Sequence, residues 1–167
     1  MAIYMKIDDS IKGNVSANGF SNLIKLESAG FGVSRSMHTQ PGSVNNREGT
    51  KPTVSEFTVT KRADQASPLL FQQATTGKAK PTVTIHFVRT DEQQLSPYMT
   101  IELSDVMISG YQLATNAVAS GESDEQQLET LKLNFGKVNV RYTPTGPDNK
   151  AESPVAAGYD LVTAQSC

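Results

Sequence analysis

The chain has 167 residues, with 15 basic and 17 acidic side chains and a formal net charge of −2 at pH 7. Its lysines and arginines form no cluster, and this distribution argues against a protein that binds nucleic acid. Apolar residues never run together for the roughly 18 positions that a membrane-spanning helix needs. A chain of this length can bury roughly 70% of the surface that its unfolded form exposes. We therefore expect a single domain over residues 1–167 that binds neither nucleic acid nor membrane.

The N-terminal segment alternates apolar and polar side chains from Ile3 to Ile7, which predicts a half-buried β-strand. No apolar stretch followed by a small-residue cleavage site is present there, so we expect no secretory signal peptide. The chain is accordingly predicted to be cytoplasmic when it is synthesised. The same alternation predicts further strands at residues 56–60, 82–88, 99–103 and 131–135.

Three predicted strands change the parity of their apolar positions, at residues 29–30, 104–105 and 136. Because side chains alternate between the two faces of a strand, a change of parity requires an extra residue to be absorbed. We predict a β-bulge at each of these points. Long strands that bend at bulges are typical of barrels. The expected fold is mainly β: a small, closed or nearly closed antiparallel β-barrel with one short α-helix and a long extended loop.

One segment, residues 64–77, breaks the strand period and predicts a single short helix. Ser67 suits the N-cap position, Pro68 the first helical position, and Gly77 the left-handed residue that ends a helix. Leu70 lies on the face that we expect to plug one mouth of the barrel.

Two stretches have the composition of irregular structure. Residues 36–53 are rich in Gly, Pro, Asn and Ser, and a loop of this length is uncommon in a compact domain and usually functional or disordered. Residues 144–157 are similar in composition, and strand character returns over residues 158–162. We therefore predict a long extended loop at 36–53 and an irregular tail over 144–167.

Residues with catalytic or metal-binding chemistry are few. The chain has two histidines, His38 and His86, and no Cys or His pair at metal-ligand spacing. Neither a G-x-S-x-G nucleophile elbow nor a phosphate-binding G-x-x-x-x-G-K-[ST] loop is present. A Ser-His-Asp triad brought together by folding stays open as an alternative. We expect no metal, no cofactor and no enzymatic activity.

Two further features have ordinary explanations. The acidic run at residues 121–125 lacks the alternating ligand spacing of a calcium loop, so we expect a solvated turn. Cys167 is the only cysteine and the last residue, so it forms no disulfide within the chain. A solvated thiol is expected there, and a disulfide between two chains is the alternative.

Two motifs follow one another along the chain. In the first, a strand leads through Lys-x-x-Asp at residues 61–64 into Ser-Pro-Leu-Leu at residues 67–70. In the second, a Glu-Thr pair that begins at Glu129 opens a strand ending in Tyr-Thr-Pro at residues 142–144. In this order the motifs resemble the hemolysin-coregulated protein family of bacterial type VI secretion systems. Weaker matches extend the resemblance over most of residues 2–162.

The sequence departs from that family's pattern at residues 19–23. Gly-Phe-Ser-Asn-Leu stands there, where the family often has an acidic stretch rich in Gly-His or Gly-Trp, and the chain contains no Trp. The departure concerns subunit contacts around residues 13–22 and leaves the expected fold unchanged.

The resemblance implies a structural subunit of the type VI secretion tube. Its β-barrel protomers would assemble into hexameric rings, and the rings would stack into a hollow tube that a contractile sheath expels. The implied partners are further copies of the chain, a spike protein at the tube tip, the contractile sheath and baseplate, and effector proteins in the lumen. Such a protein would be secreted without a cleaved signal peptide.

The loop at residues 36–53 is predicted to contact a neighbouring ring or subunit in the tube. Its charged residues are able to pair across an interface, where each exposed pair contributes about 0–1 kcal/mol. The predicted stacking residues are Gln40, Asn45, Asn46, Arg47, Glu48 and Lys51.

Two other functions stay open from the sequence. A tail-tube protein of a phage-like particle would have the same architecture with a different sheath. A small ligand-binding barrel or hydrolase would instead be a monomer with a deep pocket inside the protomer. A tube subunit, by contrast, would have a barrel packed full of side chains.

Overall fold

The computed structural model describes residues 1–39, 41–42, 47–91, 94–115, 127–148 and 150–167. Within these ranges the chain forms fourteen strands and one helix, and no helix there is long and apolar enough to cross a membrane. The helix is α1 (Ser67–Thr76). The strands are β1 (Ala2–Ile7), β2 (Ile24–Leu26), β3 (Ser28–Gly30), β4 (Val33–Ser34), β5 (Met37–Thr39), β6 (Arg47–Gly49), β7 (Thr53–Val54), β8 (Phe57–Arg62), β9 (Lys80–Asp91), β10 (Gln94–Thr115), β11 (Gln127–Asn134), β12 (Lys137–Tyr142), β13 (Val155–Asp160) and β14 (Gln165–Ser166).

Two antiparallel sheets share the long central strand β10. The first sheet has the strand order β2-β1-β9-β10-β12-β13-β14, and the second has the order β10-β11-β8-β3. Along its first half β10 pairs with β9 on one edge and β12 on the other, and along its second half it pairs with β11. One strand therefore belongs to both sheets and holds them together.

The two sheets meet a second time at Glu27. Strand β2 pairs with β1 in the first sheet, β3 pairs with β8 in the second, and Glu27 is the residue between them. The Glu27 N–H donates to the Thr60 carbonyl oxygen at 2.8 Å. Strands β2 and β3 are thus two parts of one bent strand, and the hydrogen-bonded ladder of the described residues does not close around the barrel. The mainly β fold is confirmed, as a nearly closed barrel with one short helix.

The parity changes predicted at residues 104–105 and 136 coincide in one corner. Strand β10 keeps one register from its pairs with β12 to its first pairs with β11, which places Asp105 opposite Gly136. Asp105 has a φ of 52°, a left-handed conformation that Asp adopts more readily than most residues. At this point the core-facing side chains change parity both in β10 and between β11 and β12. Gly136 therefore lies in a break between β11 and β12, and the β-bulge predicted there is wrong.

The third parity change falls earlier than predicted. The break lies at Glu27, where β2 ends, and Ala29 already packs against the core. Register shifts do occur in the ladders of β10, around Tyr98 and around Ser109. The sequence therefore predicts that the strands bend, but it misplaces the bend expected at residues 29–30 and does not indicate the register shifts around Tyr98 and Ser109.

The main hydrophobic core fills the barrel with the alternating apolar residues that the sequence predicts. Strands from both sheets contribute to it, and α1 adds Leu70. Burial of one such side chain contributes about 1.5–3 kcal/mol. The fully buried apolar side chains include Met5, Ile7, Ile24, Phe57, Val59, Leu70, Ile85, Leu103, Leu131 and Leu133.

The helix α1 packs against β10, and its predicted end at Gly77 and its buried face at Leu70 are confirmed. Its end is at Gly77, which has a φ of 64° and whose N–H donates to the Gln73 carbonyl oxygen at 3.0 Å. The predicted N-cap is wrong. Ala66 occupies that position without a side-chain hydrogen bond, because the Ser67 hydroxyl already bonds to Lys61 and Glu129.

The C-terminal segment is more regular than predicted. Strand β13 begins at Val155, inside the stretch expected to be irregular, and pairs with β12 along its whole length. Cys167 exchanges backbone hydrogen bonds with Gly158 at 3.0 and 3.1 Å, and its thiol is exposed. The alternation signal is missing because residues 155–157 are exposed on both faces of the strand.

The connection between β1 and β2 folds over the face of β1 and β9 that points away from the main core. Tyr4, Phe20 and Val88 are buried there in a second, smaller apolar cluster. A backbone hydrogen bond of 2.9 Å joins the two ends of this segment, which we call the flap (residues 13–22).

Gly13 tests how closely the flap must approach β2. A Cβ atom at this position would overlap the carbonyl group of Leu23 and lie 2.6 Å from the Cα atom of Ile24, and these backbone atoms cannot rotate away. We expect Gly13→Ala to lower the free energy of unfolding by about 1–3 kcal/mol, as overpacked substitutions do, in urea denaturation. Gly30→Ala is the control, because a Cβ there meets no atom within 4 Å. Similar losses from both substitutions would contradict this account.

Candidate functional site

The segment between β3 and β8 forms a two-stranded arm, which we define as residues 33–54. Strand β4 pairs with β7 and β5 pairs with β6, both antiparallel. The predicted long loop is therefore present, but it is a β-ribbon, and the irregular structure expected for residues 36–53 is wrong for the paired strands. Strands of two and three residues are too short to show an apolar alternation in the sequence.

Backbone and side-chain hydrogen bonds hold the ribbon together. The Arg35 Nε–H donates to the Thr50 carbonyl oxygen at 2.7 Å. The Thr50 N–H and hydroxyl both donate to the Ser36 carbonyl oxygen, at 3.2 and 3.1 Å. At the base of the arm, Phe31 stacks on the buried Phe57 with ring centroids 5.4 Å apart. The arm is thus anchored on the core by an aromatic pair.

The arm presents apolar side chains to solvent. Val33 is 61% exposed and Met37 is 63% exposed. At about 3.3 Å per residue, the ladder from β4 through β5 extends on the order of 20 Å. Apolar side chains on a projecting ribbon are a surface suited to contact with another protein.

Three of the six predicted stacking residues lie within the described part of the arm. Gln40, Asn45 and Asn46 lie outside the described residues. The backbone of Arg47 and Glu48 lies in β6, opposite β5, and Lys51 follows with an exposed side chain. Their pairing across an interface stays a prediction. The acidic run at 121–125 also lies outside the described residues, so the calcium question is not decided there.

A buried ion cluster lies between β8, α1, β10 and β11, and we define it as Lys61, Asp64, Ser67, Tyr111 and Glu129. The Lys61 side chain is fully buried. Its ammonium Nζ lies 2.6 Å from Glu129 Oε2 and 2.9 Å from Asp64 Oδ1. It also donates to the Arg62 carbonyl oxygen at 2.8 Å and to Ser67 Oγ at 3.2 Å. One cation is therefore surrounded by oxygen atoms from β8, the following turn, the helix and β11.

Glu129 is equally well satisfied. The Ser67 hydroxyl donates to its Oε2 at 2.9 Å, and the Tyr111 hydroxyl donates to its Oε1 at 2.6 Å. Burial alone raises the pKa of Glu129, but hydrogen bonds from Lys61, Tyr111 and Ser67 outweigh burial and hold the pKa below its usual value. Burial and the neighbouring carboxylate raise the pKa of Tyr111 to about 12. At neutral pH the cluster therefore contains an ionised carboxylate and a protonated phenol.

The strand pattern explains why the two charges meet. Phe57, Val59 and Lys61 occupy the core-facing positions of β8, and Lys61 lies directly opposite Glu129 in the ladder of β8 with β11. Glu129 is in turn in phase with the buried Leu131 of β11. A lysine and a glutamate in apolar phase were visible in the sequence, and that signal could have identified a buried pair.

In the buried ion cluster the Ser67 hydroxyl lies 3.2 Å from the Lys61 amine. A serine hydroxyl beside a lysine amine resembles a nucleophile with its activating base. Here the Lys61 Nζ is already paired with the carboxylates of Asp64 and Glu129, at 2.9 and 2.6 Å, so no free amine lies beside the hydroxyl. The arrangement is therefore suited to linking four elements of the fold.

The triad left open by the sequence has no support at His86. Its ring packs against Phe20 with centroids 5.7 Å apart, and its Nδ1 has no hydrogen-bond partner among the described residues. No group of three or more His, Cys, Asp or Glu side chains in the described part of the chain is placed to hold a metal ion.

Removal of one partner tests the buried pair. We expect Lys61→Met to lower the free energy of unfolding by about 3–5 kcal/mol, because it leaves buried carboxylates without their cation. The double variant Lys61→Met with Glu129→Leu should recover part of this loss, since one of those carboxylates is then also removed. Urea denaturation of Lys61→Met, Glu129→Leu and the double variant gives the coupling energy as a double-mutant cycle.

Arg62→Met is the matched control on the next residue. Arg62 pairs with Glu27 at 3.2 Å, but the two side chains are 52% and 40% exposed, so we expect a change of about 0–1 kcal/mol. If Lys61→Met costs no more than Arg62→Met, the buried cluster does not stabilise the fold as described.

The sequence matches the family model described as "Type VI secretion system effector, Hcp" over residues 4–142. A comparison with curated proteins gives no match. Similar solved structures include a type VI secretion system protein, with 23% identity, 99% of each chain covered and a TM-score of 0.86. Hcp1 from Salmonella typhimurium has 22% identity, coverage of 99% of this chain and 98% of that chain, and a TM-score of 0.76. A type VI secretion system effector from Yersinia pestis has 23% identity, coverage of 95% and 98%, and a TM-score of 0.69.

At these identities the solved structures show only that the fold is shared. The family to which the chain belongs is shown by the match to the family model. The match covers both motifs, Lys-x-x-Asp-x-x-Ser at residues 61–67 and the Glu-Thr strand that begins at Glu129. These motifs also supply four of the five residues of the buried ion cluster. Because the matched region spans most of the chain, the resemblance is confirmed, and the chain belongs to the Hcp family of the type VI secretion system.

Proposed function

We propose that this chain is a structural subunit of the type VI secretion tube and forms hexameric rings that stack into a hollow tube. Membership of the Hcp family supports the proposal at the level of the secretion system. The observation that carries it for this chain is the arm, an ordered ribbon that projects from the barrel and exposes Val33 and Met37.

A projecting ribbon makes a head-to-tail contact between copies. Such a contact gives a ring if its rotation closes and a filament if it does not. A stacked tube needs one contact of each kind. We assign the arm to the contact between stacked rings.

The second contact requires another surface, and β13 provides an open edge. Strand β14 pairs with Tyr159 and Asp160 at the end of β13, and within the described residues no strand pairs with the outer edge of residues 155–157. These residues, Val-Ala-Ala, are exposed and carry no charge or proline that would prevent pairing with another chain. We assign this edge to the lateral seam of the ring.

The barrel interior favours a tube subunit over a ligand-binding barrel. Phe57, Ile85 and Leu133 are among the large side chains that are fully buried within it. The most polar group inside, Lys61, is held by ion pairs and is not available to a substrate. We accordingly propose a structural and not an enzymatic role.

The further partners follow from the proposed tube. They are a spike protein at the tube tip, the contractile sheath and baseplate around it, and effector proteins in the lumen. In this proposal the chain is cytoplasmic on synthesis and is then secreted without a cleaved signal peptide.

The mass of the purified protein in solution tests ring formation. We expect light scattering to give six times the mass of one chain, and negative-stain images to show rings with an open centre. A monomer at every concentration would sink the proposal and favour the small ligand-binding barrel.

A charge-removal variant tests the role of the arm. We expect Arg47→Ala with Glu48→Ala to shorten or abolish stacked tubes in electron micrographs while the mass of the ring stays the same. Exposed pairs contribute only about 0–1 kcal/mol each, but the loss is repeated at every subunit of a ring.

The matched control removes an exposed pair elsewhere. Asp148 and Lys150 lie 3.9 Å apart and are 63% and 84% exposed, and Asp148→Ala with Lys150→Ala should leave both rings and stacks unchanged. Unaltered stacking in the arm variant would show that the arm charges are not part of the stacking contact.

A further inference from the structure

The flap is held on the sheet by one large side chain. Phe20 is buried, with its ring 5.3 Å from that of Tyr4 on β1 and 5.7 Å from that of His86 on β9. Cavities of about 570 and 640 Å³ open beside residues 19–23 and residues 14–17 of the chain. Phe20 itself lines the first of these cavities, so its ring has space on one side into which to move.

His86 forms part of the floor beneath Phe20. It pairs with Tyr4 of β1 and Thr100 of β10, so it lies in the interior of the sheet. Its Nδ1 is enclosed by protein and has no hydrogen-bond partner among the described residues. Burial, and then the charge of Lys6, hold the pKa of His86 below its usual range. The neutral ring suits the closed flap, because the protonated ring carries an N–H on each nitrogen and a buried N–H without a partner is costly.

The charged groups around His86 do not compensate a positive charge on its ring. The two carboxylates beside the adjoining cavity are each already bound to a lysine, at 3.0 Å in both cases. On β10 the acidic residue of the same face is Glu102, which is exposed. The charged residues that line the cavity are Lys6, Asp8, Asp9 and Lys12.

We propose that the flap is a pH-sensitive cover, which opens when protonation of His86 displaces Phe20 from the face of β1 and β9. A protonated ring needs a hydrogen-bond acceptor at both nitrogens. Nδ1 is enclosed and Phe20 packs on the ring, so displacement of Phe20 would admit water. The cavity beside residues 19–23 gives the aromatic ring a path out of the cluster. This device depends on the fold of one protomer and goes beyond the proposed tube function.

The direction of the pH effect follows from proton linkage. A histidine in the open flap titrates near the usual value of about 6.5, and in the closed flap His86 titrates lower. The closed flap therefore binds fewer protons, has its full stability above about pH 6.5, and loses stability as the pH falls below that value. One linked proton changes the equilibrium by at most about tenfold per pH unit.

Hydrogen exchange of the purified full chain tests the proposal. Protection of residues 13–23, corrected for the intrinsic exchange rate, should fall by up to about tenfold per pH unit below about pH 6.5. Protection of β8 and β11 should stay constant over the same range. In His86→Gln the protection of the flap should no longer depend on pH. His38→Gln is the matched control, because the chain has two histidines, and it should retain the behaviour of the unaltered protein.

A measurement on the unaltered protein covers the case in which His86→Gln does not fold. In NMR spectra the ring signals of His86 and Phe20 should shift together in one titration with a midpoint below about 6.5. The proposal is overturned if flap protection is constant across this range or if its pH dependence survives in His86→Gln. It is also overturned if the Phe20 signals do not follow those of His86.

Discussion

A buried ammonium group sets the arrangement of the elements around it. Lys61 occupies a core-facing position of β8, where an uncompensated charge would cost several kcal/mol. Glu129 compensates it from directly across the ladder, and Asp64 does so from the turn that leads into the helix. Ser67 and Tyr111 complete the cluster from α1 and β10. Satisfying one lysine therefore fixes the register of β8 on β11, the start of the helix and the position of β10.

The Lys61–Glu129 pair also opposes a slip in strand register. A slip of one residue between β8 and β11 would turn their apolar residues outward, and it would also separate Lys61 from Glu129. The corner at Asp105 and Gly136 has a related effect, because both paired strands change face at one place and the ladder keeps its register. The nearly closed barrel is thus specified by polar and backbone constraints as well as by apolar burial. These constraints all lie within one chain.

The parts of the structure that the sequence predicted are those in which burial alternates along the chain. The strands around Met5, Phe57, Ile85 and Leu131 each turn one face to the core, so period-two alternation identified them directly. The first half of β13 is exposed on both faces and the strands of the arm are only two or three residues long, so no alternation marks them. A change in the parity of the apolar positions shows that a strand changes face. Whether it does so through a bulge or a break depends on the strand with which it pairs. The buried ion cluster joins residues from four elements, and only the family motifs indicated that most of them belong together.

Stability is distributed unevenly over this fold, and the distribution agrees with a subunit that assembles after folding. The barrel has a continuous core and a satisfied ion cluster, both built from contacts within one chain. The arm is held by short ladders and a few exposed hydrogen bonds, such as that from Arg35 to Thr50, and by Phe31 at its base. Segments with few buried contacts open at low free-energy cost. In the proposed tube, burial of Val33 and Met37 against another copy would supply the apolar contact that the arm lacks in one chain. In that proposal each arm contact would be small and repeated at every subunit, so the rings would stay intact while the stack between them forms and separates.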